Sequence, residues 1–61
     1  MNYLENDIKV AKALQTLMPL GGYSYTITAD DVAVRIESDG AATGYTVPTK
    51  AAIDAAIVAQ A

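Results

Sequence analysis

The sequence has no cysteine and no histidine, and it lacks tryptophan and phenylalanine as well. Without cysteine there are no disulfides, the staples on which many small domains depend. With histidine also missing, the thiolate and imidazole ligands of structural zinc sites are gone. The usual nucleophile–base pairs go with them, because a serine or threonine hydroxyl needs an adjacent base and imidazole is the common one. No Ser–Lys motif stands in its place. The expectation is a chain that is not an enzyme and uses no cofactor or metal.

Positive charge is scarce too. Lys9, Lys12, Arg35 and Lys50 are the only cations, and the net charge is −3. They do not cluster, so a nucleic-acid partner, which requires a basic patch to neutralise phosphates, is not expected. No apolar run approaches the roughly 18 residues from which a membrane span is read, so no membrane partner is expected. The opening Met-Asn-Tyr-Leu-Glu-Asn-Asp is acidic and mixed, whereas a secretory leader is basic and then apolar. An intracellular, cytoplasmic location is the expectation.

What is present is a globular composition. Of 61 residues, 52% are apolar and 18% charged, well away from the polar, charge-dense signature of disorder. The length allows one domain, spanning 1–61. Much of the apolar content is alanine, which buries little area, so Tyr3, Tyr23, Tyr25 and Tyr45 are the largest pieces available for a core or an interface. A core of this size supplies about 3–5 kcal/mol, which makes self-association a natural supplement.

Residues 3–18 read as a helix. Leu4, Ile8, Ala11, Leu14, Leu17 and Met18 fall at helical spacing and form an apolar stripe. Asn2 is placed to cap the first turn, with Glu5 as its reciprocal partner. Pro19 ends the helix and Gly21-Gly22 reverse the chain. Residues 23–28 alternate, with Tyr23, Tyr25 and Ile27 on one face and Ser24, Thr26 and Thr28 on the other. Residues 32–37 alternate in the same way, with Val32, Val34 and Ile36 on the apolar face. The short link Ala29-Asp30-Asp31 makes the pair an antiparallel hairpin. Ser38-Asp39-Gly40 reads as a turn, and Tyr45-Thr46-Val47 as a candidate third strand that Pro48 would confine to a sheet edge. Thr49 is a good N-cap for a final helix over 50–60, whose apolar face is Ile53, Ala56 and Ile57. The fold class is therefore α+β: an N-terminal helix, an antiparallel β-hairpin with a candidate third strand, and a C-terminal helix, both helices covering one sheet face.

Few residues carry a hint of chemistry. Asp30-Asp31 pairs two carboxylates, which can share a proton or hold a hard cation. Their place between strands is where aspartate is favoured for turn hydrogen bonds alone, and Glu37 and Asp39 do not complete a calcium-loop spacing. Gly21-Gly22 follow a helix rather than a strand and are too short for a phosphate loop. Tyr23 and Tyr25 read first as core under the leading helix. Their alternative is a recognition face, because tyrosine supplies large contact area at low entropic cost. Ile53 and Ile57 form a narrow stripe that can dock inside the chain or on a second copy. The candidate interaction surface is therefore Tyr23, Tyr25, Ile53 and Ile57, and the expected partner is another protein or the chain itself in a weak homodimer.

The order of motifs resembles that of the small XkdW-type proteins encoded among the tail genes of tailed phages and prophages. The matching residues are Asp7-Ile8, Ala13-Leu14 and Leu17-Met18-Pro19, then Tyr25-x-Ile27 with Asp30-Asp31, and finally Pro48-Thr49-Lys50-Ala51-Ala52-Ile53-Asp54-Ala55-Ala56-Ile57. The chain departs from the pattern at Ala52, where a capping glutamate is usual, and in lacking a tryptophan before the Pro-Thr step. The resemblance implies a non-catalytic phage or prophage accessory protein acting through protein–protein contacts, tail- or virion-associated. The alternative is a self-associating bacterial structural or regulatory module; a small-ligand or cation-binding protein stands third.

Overall fold

In a computed structural model, which describes residues 2–60, the chain runs helix, hairpin, short helix, helix. α1 spans Asp7–Leu17, β1 Tyr23–Ile27, β2 Val32–Ile36, α2 Ser38–Ala42 and α3 Lys50–Val58. The α+β class expected from the sequence is the observed one.

The hairpin follows from the alternation. β1 and β2 pair antiparallel with Tyr23 opposite Ile36, Tyr25 opposite Val34 and Ile27 opposite Val32. Directly opposed residues share a face, so the apolar positions of both strands lie together and Ser24, Thr26, Ala33 and Arg35 lie on the other side. The loop is closed by the Thr28 N–H, which donates to the Asp31 carbonyl at 2.9 Å, and by the Asp31 N–H, which donates to the Thr28 hydroxyl at 3.1 Å.

α1 begins four residues later than the spacing predicts. Residues 3–6 form turns, held by the Asn2 side chain, which accepts from the Leu4 and Glu5 amides at 3.0 and 3.3 Å. Short polar side chains compete with helical bonding here. Asn6 donates back to the Asn2 carbonyl, and Asp7 takes the Ile8 amide. The buried stripe is also rotated. Val10, Ala13, Leu14 and Met18 are buried, Leu17 is partly so, and Leu4 and Ile8 face solvent. The cause is the docking of α3 on α1, which places Val10, Ala13 and Leu14 in one core with Ile53 and Ile57 and leaves Ile8 in solvent.

Two further expectations are corrected. Ser38-Asp39-Gly40 opens α2 rather than a turn, because Gly40 packs against the Gly22 backbone and the helix is stopped at once by Gly44 at φ +80°. Tyr45-Thr46-Val47 forms no third strand, and the sheet has two strands. The Tyr45 amide is spent on the Gly40 carbonyl and its hydroxyl on the Leu20 amide, so the segment is tied to α2 and to the turn after α1.

α3 starts as its sequence signals. The Thr49 hydroxyl accepts from the Ala52 amide at 3.1 Å. The core joins Tyr3, Val10, Ala13, Leu14, Met18, Val32, Ile53 and Ile57, with Tyr23, Ile27, Val34, Ile36, Tyr45 and Ala56 packed at its margin.

Candidate interaction surface

The four residues singled out from the sequence separate into two pairs. Ile53 and Ile57 are 2% and 4% exposed, enclosed between α3 and α1 of the same chain. As surface residues they are therefore a correction: their stripe is used up inside the domain. Tyr23 and Tyr25 lie on the apolar face of β1. Tyr23 packs against the core margin, whereas Tyr25, two residues on, is 38% exposed. Their rings are 6.1 Å apart between centroids and tilted by 31°. Burial raises the Tyr23 phenol above its ordinary value, with smaller contributions from Tyr25 and Tyr45.

Several exposed apolar side chains were not singled out by the sequence. Leu20 is 75% exposed beside Tyr45, in the reversal between α1 and β1. Its position between Pro19 and Gly21 is a signal that it lies outside both elements. Leu4, Ile8, Val47 and Val58 are likewise exposed. Val58 falls outside the Ile53–Ile57 face of α3, which the helical period does indicate.

Tyr3 is the largest side chain of the interior and ties three segments together. Its amide donates to the Ala29 carbonyl in the hairpin loop at 3.1 Å, and its hydroxyl donates to the Asp54 carboxylate on α3. The Lys50 ammonium lies 5.6 Å from its ring centroid and donates to the Asp30 carbonyl at 2.7 Å. A cation over a tyrosine ring is favourable. The Asp54 hydrogen bond, then desolvation, then the charges of Asp54 and Asp31 push the Tyr3 phenol up to about 12.

The acidic pair Asp30-Asp31 is occupied locally. The Asp31 carboxylate accepts from the Val32 amide at 2.8 Å. Among the described residues no group of three or more acidic, histidine or cysteine side chains is placed to hold a metal ion. A shallow groove of about 360 Å³ runs beside the start of α1, lined by Glu5, Asn6, Asp7, Ile8, Lys9, Lys12 and Gln60. Two carboxylates, Glu5 and Asp7, and two ammonium groups, Lys9 and Lys12, line it, no hydroxyl or thiol does, and the Gln60 side-chain amide donates to the Lys9 carbonyl at 2.7 Å. No helix among the described residues is long and apolar enough to cross a membrane.

What the surface offers is thus an uncharged strand, Tyr-Ser-Tyr-Thr-Ile, exposed through its middle three residues. Comparison with family models, with curated proteins and with solved structures finds no match.

Proposed function

We propose that the chain is a non-catalytic accessory protein of a tailed phage or prophage, of the small XkdW type, and that it acts by protein–protein contact in the host cytoplasm or on the tail. The supporting observation is the placement of the motifs that carry the resemblance. Leu17-Met18-Pro19 closes α1, Tyr25 and Ile27 belong to the exposed strand β1, and Pro48-Thr49 opens α3 through a bonded cap. A contact role suits a surface whose most exposed strand carries tyrosine and hydroxyl groups without charge.

The test has two parts. The coding sequence is expected within a cluster of tail or lysis genes, and peptides of the chain are expected in infected or induced cells together with a tail protein that co-purifies with it. A location in an operon of metabolic genes, with no tail protein bound, overturns the reading. The second reading, a self-associating bacterial module, is favoured by the same open strand.

A further inference from the structure

We propose that β1 is a self-pairing edge, and that two copies of the chain join through it, antiparallel, about a two-fold axis at Tyr25, into a four-stranded sheet. This rests on the contact reading above only in supposing that the surface makes protein contacts. It adds the surface, the register and the partner.

The register of the hairpin determines which backbone groups are free. The Glu37 N–H donates to the Gly22 carbonyl at 2.8 Å and the Thr28 N–H to the Asp31 carbonyl at 2.9 Å. Bonded and non-bonded pairs alternate along an antiparallel ladder, so between these two pairs Ser24 and Thr26 bond inward to Arg35 and Ala33. The N–H and C=O groups of Tyr23, Tyr25 and Ile27 then point away from β2. Among the described residues, none of the hydrogen bonds made outside the hairpin ladder uses them. The opposite edge is less available. The Val32 amide is taken by the Asp31 carboxylate, and α2 packs against β2.

Natural sheets protect such edges with lysine, proline or a bulge. β1 has none of these: it is Tyr-Ser-Tyr-Thr-Ile, in unbroken one-to-one register with β2.

The edge is complementary to itself. With Tyr25 on the axis, Tyr25 faces Tyr25 of the second copy and Tyr23 faces Ile27, each pair exchanging two backbone bonds. On the apolar face this matches aromatic with aromatic and aromatic with β-branched side chains. On the polar face Ser24 meets Thr26. All are favourable cross-strand pairs, and no like charges are opposed. Charge also selects the direction. Antiparallel pairing sets the two Asp30-Asp31 loops at opposite ends, offset by about 20 Å along the strands, beyond the Debye length of about 10 Å at 0.1 M salt. Parallel pairing would set them side by side. A five-residue strand is small beside the area that stable dimers bury, so the dissociation constant is expected on the order of 0.1–1 mM.

The experiment is sedimentation equilibrium and concentration-dependent amide NMR on the whole chain. Wild type is expected to associate in the high micromolar to millimolar range, with the amides of Tyr23, Tyr25 and Ile27 gaining protection from exchange as concentration rises. Tyr25→Lys and Tyr25→Glu each place like charges on the axis and are expected to be monomeric. An equal mixture of the two is expected to associate again, because the axis then carries an opposite pair. Ala33→Lys, on the exposed face of β2, is expected to leave association unchanged. Wild type that stays monomeric overturns the proposal, as does association that persists in Tyr25→Lys or protection that appears elsewhere. Should the variants fail to fold, the amide protection of wild type decides alone. Failure here leaves the tail-gene test of the wider reading untouched.

Discussion

Gly22 and Gly40 meet backbone to backbone, joining the entry to β1 with the middle of α2. A Cβ built on Gly22 would stand 2.7 Å from the Gly40 Cα, and one built on Gly40 would stand 2.9 Å from Ile36 Cγ2. Gly22 also has φ +80°, as does Gly44, whose Cβ would meet nothing within 4 Å. The pair separates two effects. Gly44→Ala carries only the left-handed backbone strain, about 1–2 kcal/mol. Gly22→Ala adds an overlap with backbone that cannot swing aside, roughly 1–3 kcal/mol more. Chemical denaturation is expected to rank Gly22→Ala well below Gly44→Ala in stability. Equal losses would mean that α2 does not pack where it is described.

Leu14 and Ile8 test the rotated face of α1. Leu14 is fully buried and Ile8 is 68% exposed. Leu14→Ala is expected to lose about 2–4 kcal/mol, enough to unfold most of so small a domain. Ile8→Ala is expected to stay within about 0.5 kcal/mol of wild type. A loss in Ile8→Ala as large as that in Leu14→Ala, read from urea midpoints, would restore the stripe that simple spacing suggests, in which both are buried.

That rotation shows where the sequence is legible. The hairpin could be read because a period of two admits only two faces, and Tyr23, Tyr25, Ile27, Val32, Val34 and Ile36 all fall on one. Thr49 could be read because a hydroxyl before a run of helix formers has a local role. The face of α1 could not. Apolar residues lie on both sides of it, and the choice between Ile8 and Val10 is made by α3, which arrives from the far end of the chain. For the same reason Tyr25, which reads first as core, lies exposed, and Ile53 with Ile57, which read as a docking stripe, lie buried. An apolar stripe says that something covers it, and only the fold says that the cover is the chain's own α1. The segment at Tyr45 was misread because its amide and hydroxyl are claimed by Gly40 and Leu20, contacts that leave no trace in local alternation.

Thr49 bears on how α3 is held. Its hydroxyl satisfies the Ala52 amide, one of the donors that a helix start leaves open, and the position is exposed, so little else changes on truncation. Thr49→Ala is expected to lower stability by about 1 kcal/mol, and Thr49→Ser to keep most of it. If the two behave alike in thermal melts, the cap contributes nothing.

Tyr3 provides the pH dependence. Its phenol titrates at about 12 in the folded chain, against 10.0 ordinarily, chiefly because the hydroxyl donates to Asp54. Below pH 10 both the folded and the unfolded chain hold the proton, and the contribution of the group is whole. As pH rises from 10 towards 12, the unfolded chain releases its proton while the folded chain keeps it, so each step favours unfolding. Above about 12 the contribution is gone. Tyr3→Phe removes both the bond and this titration. The variant is expected to melt lower than wild type at neutral pH and to lose less on going to alkaline pH. Some decline remains, because Tyr23 is also raised, by burial. Phenolate absorbance followed alongside the melts assigns the titration: the most alkaline tyrosine of wild type is expected to vanish in Tyr3→Phe. A variant with the neutral melting temperature and alkaline slope of wild type would mean that the hydroxyl of Tyr3 does not hold α3 to the N-terminal turn.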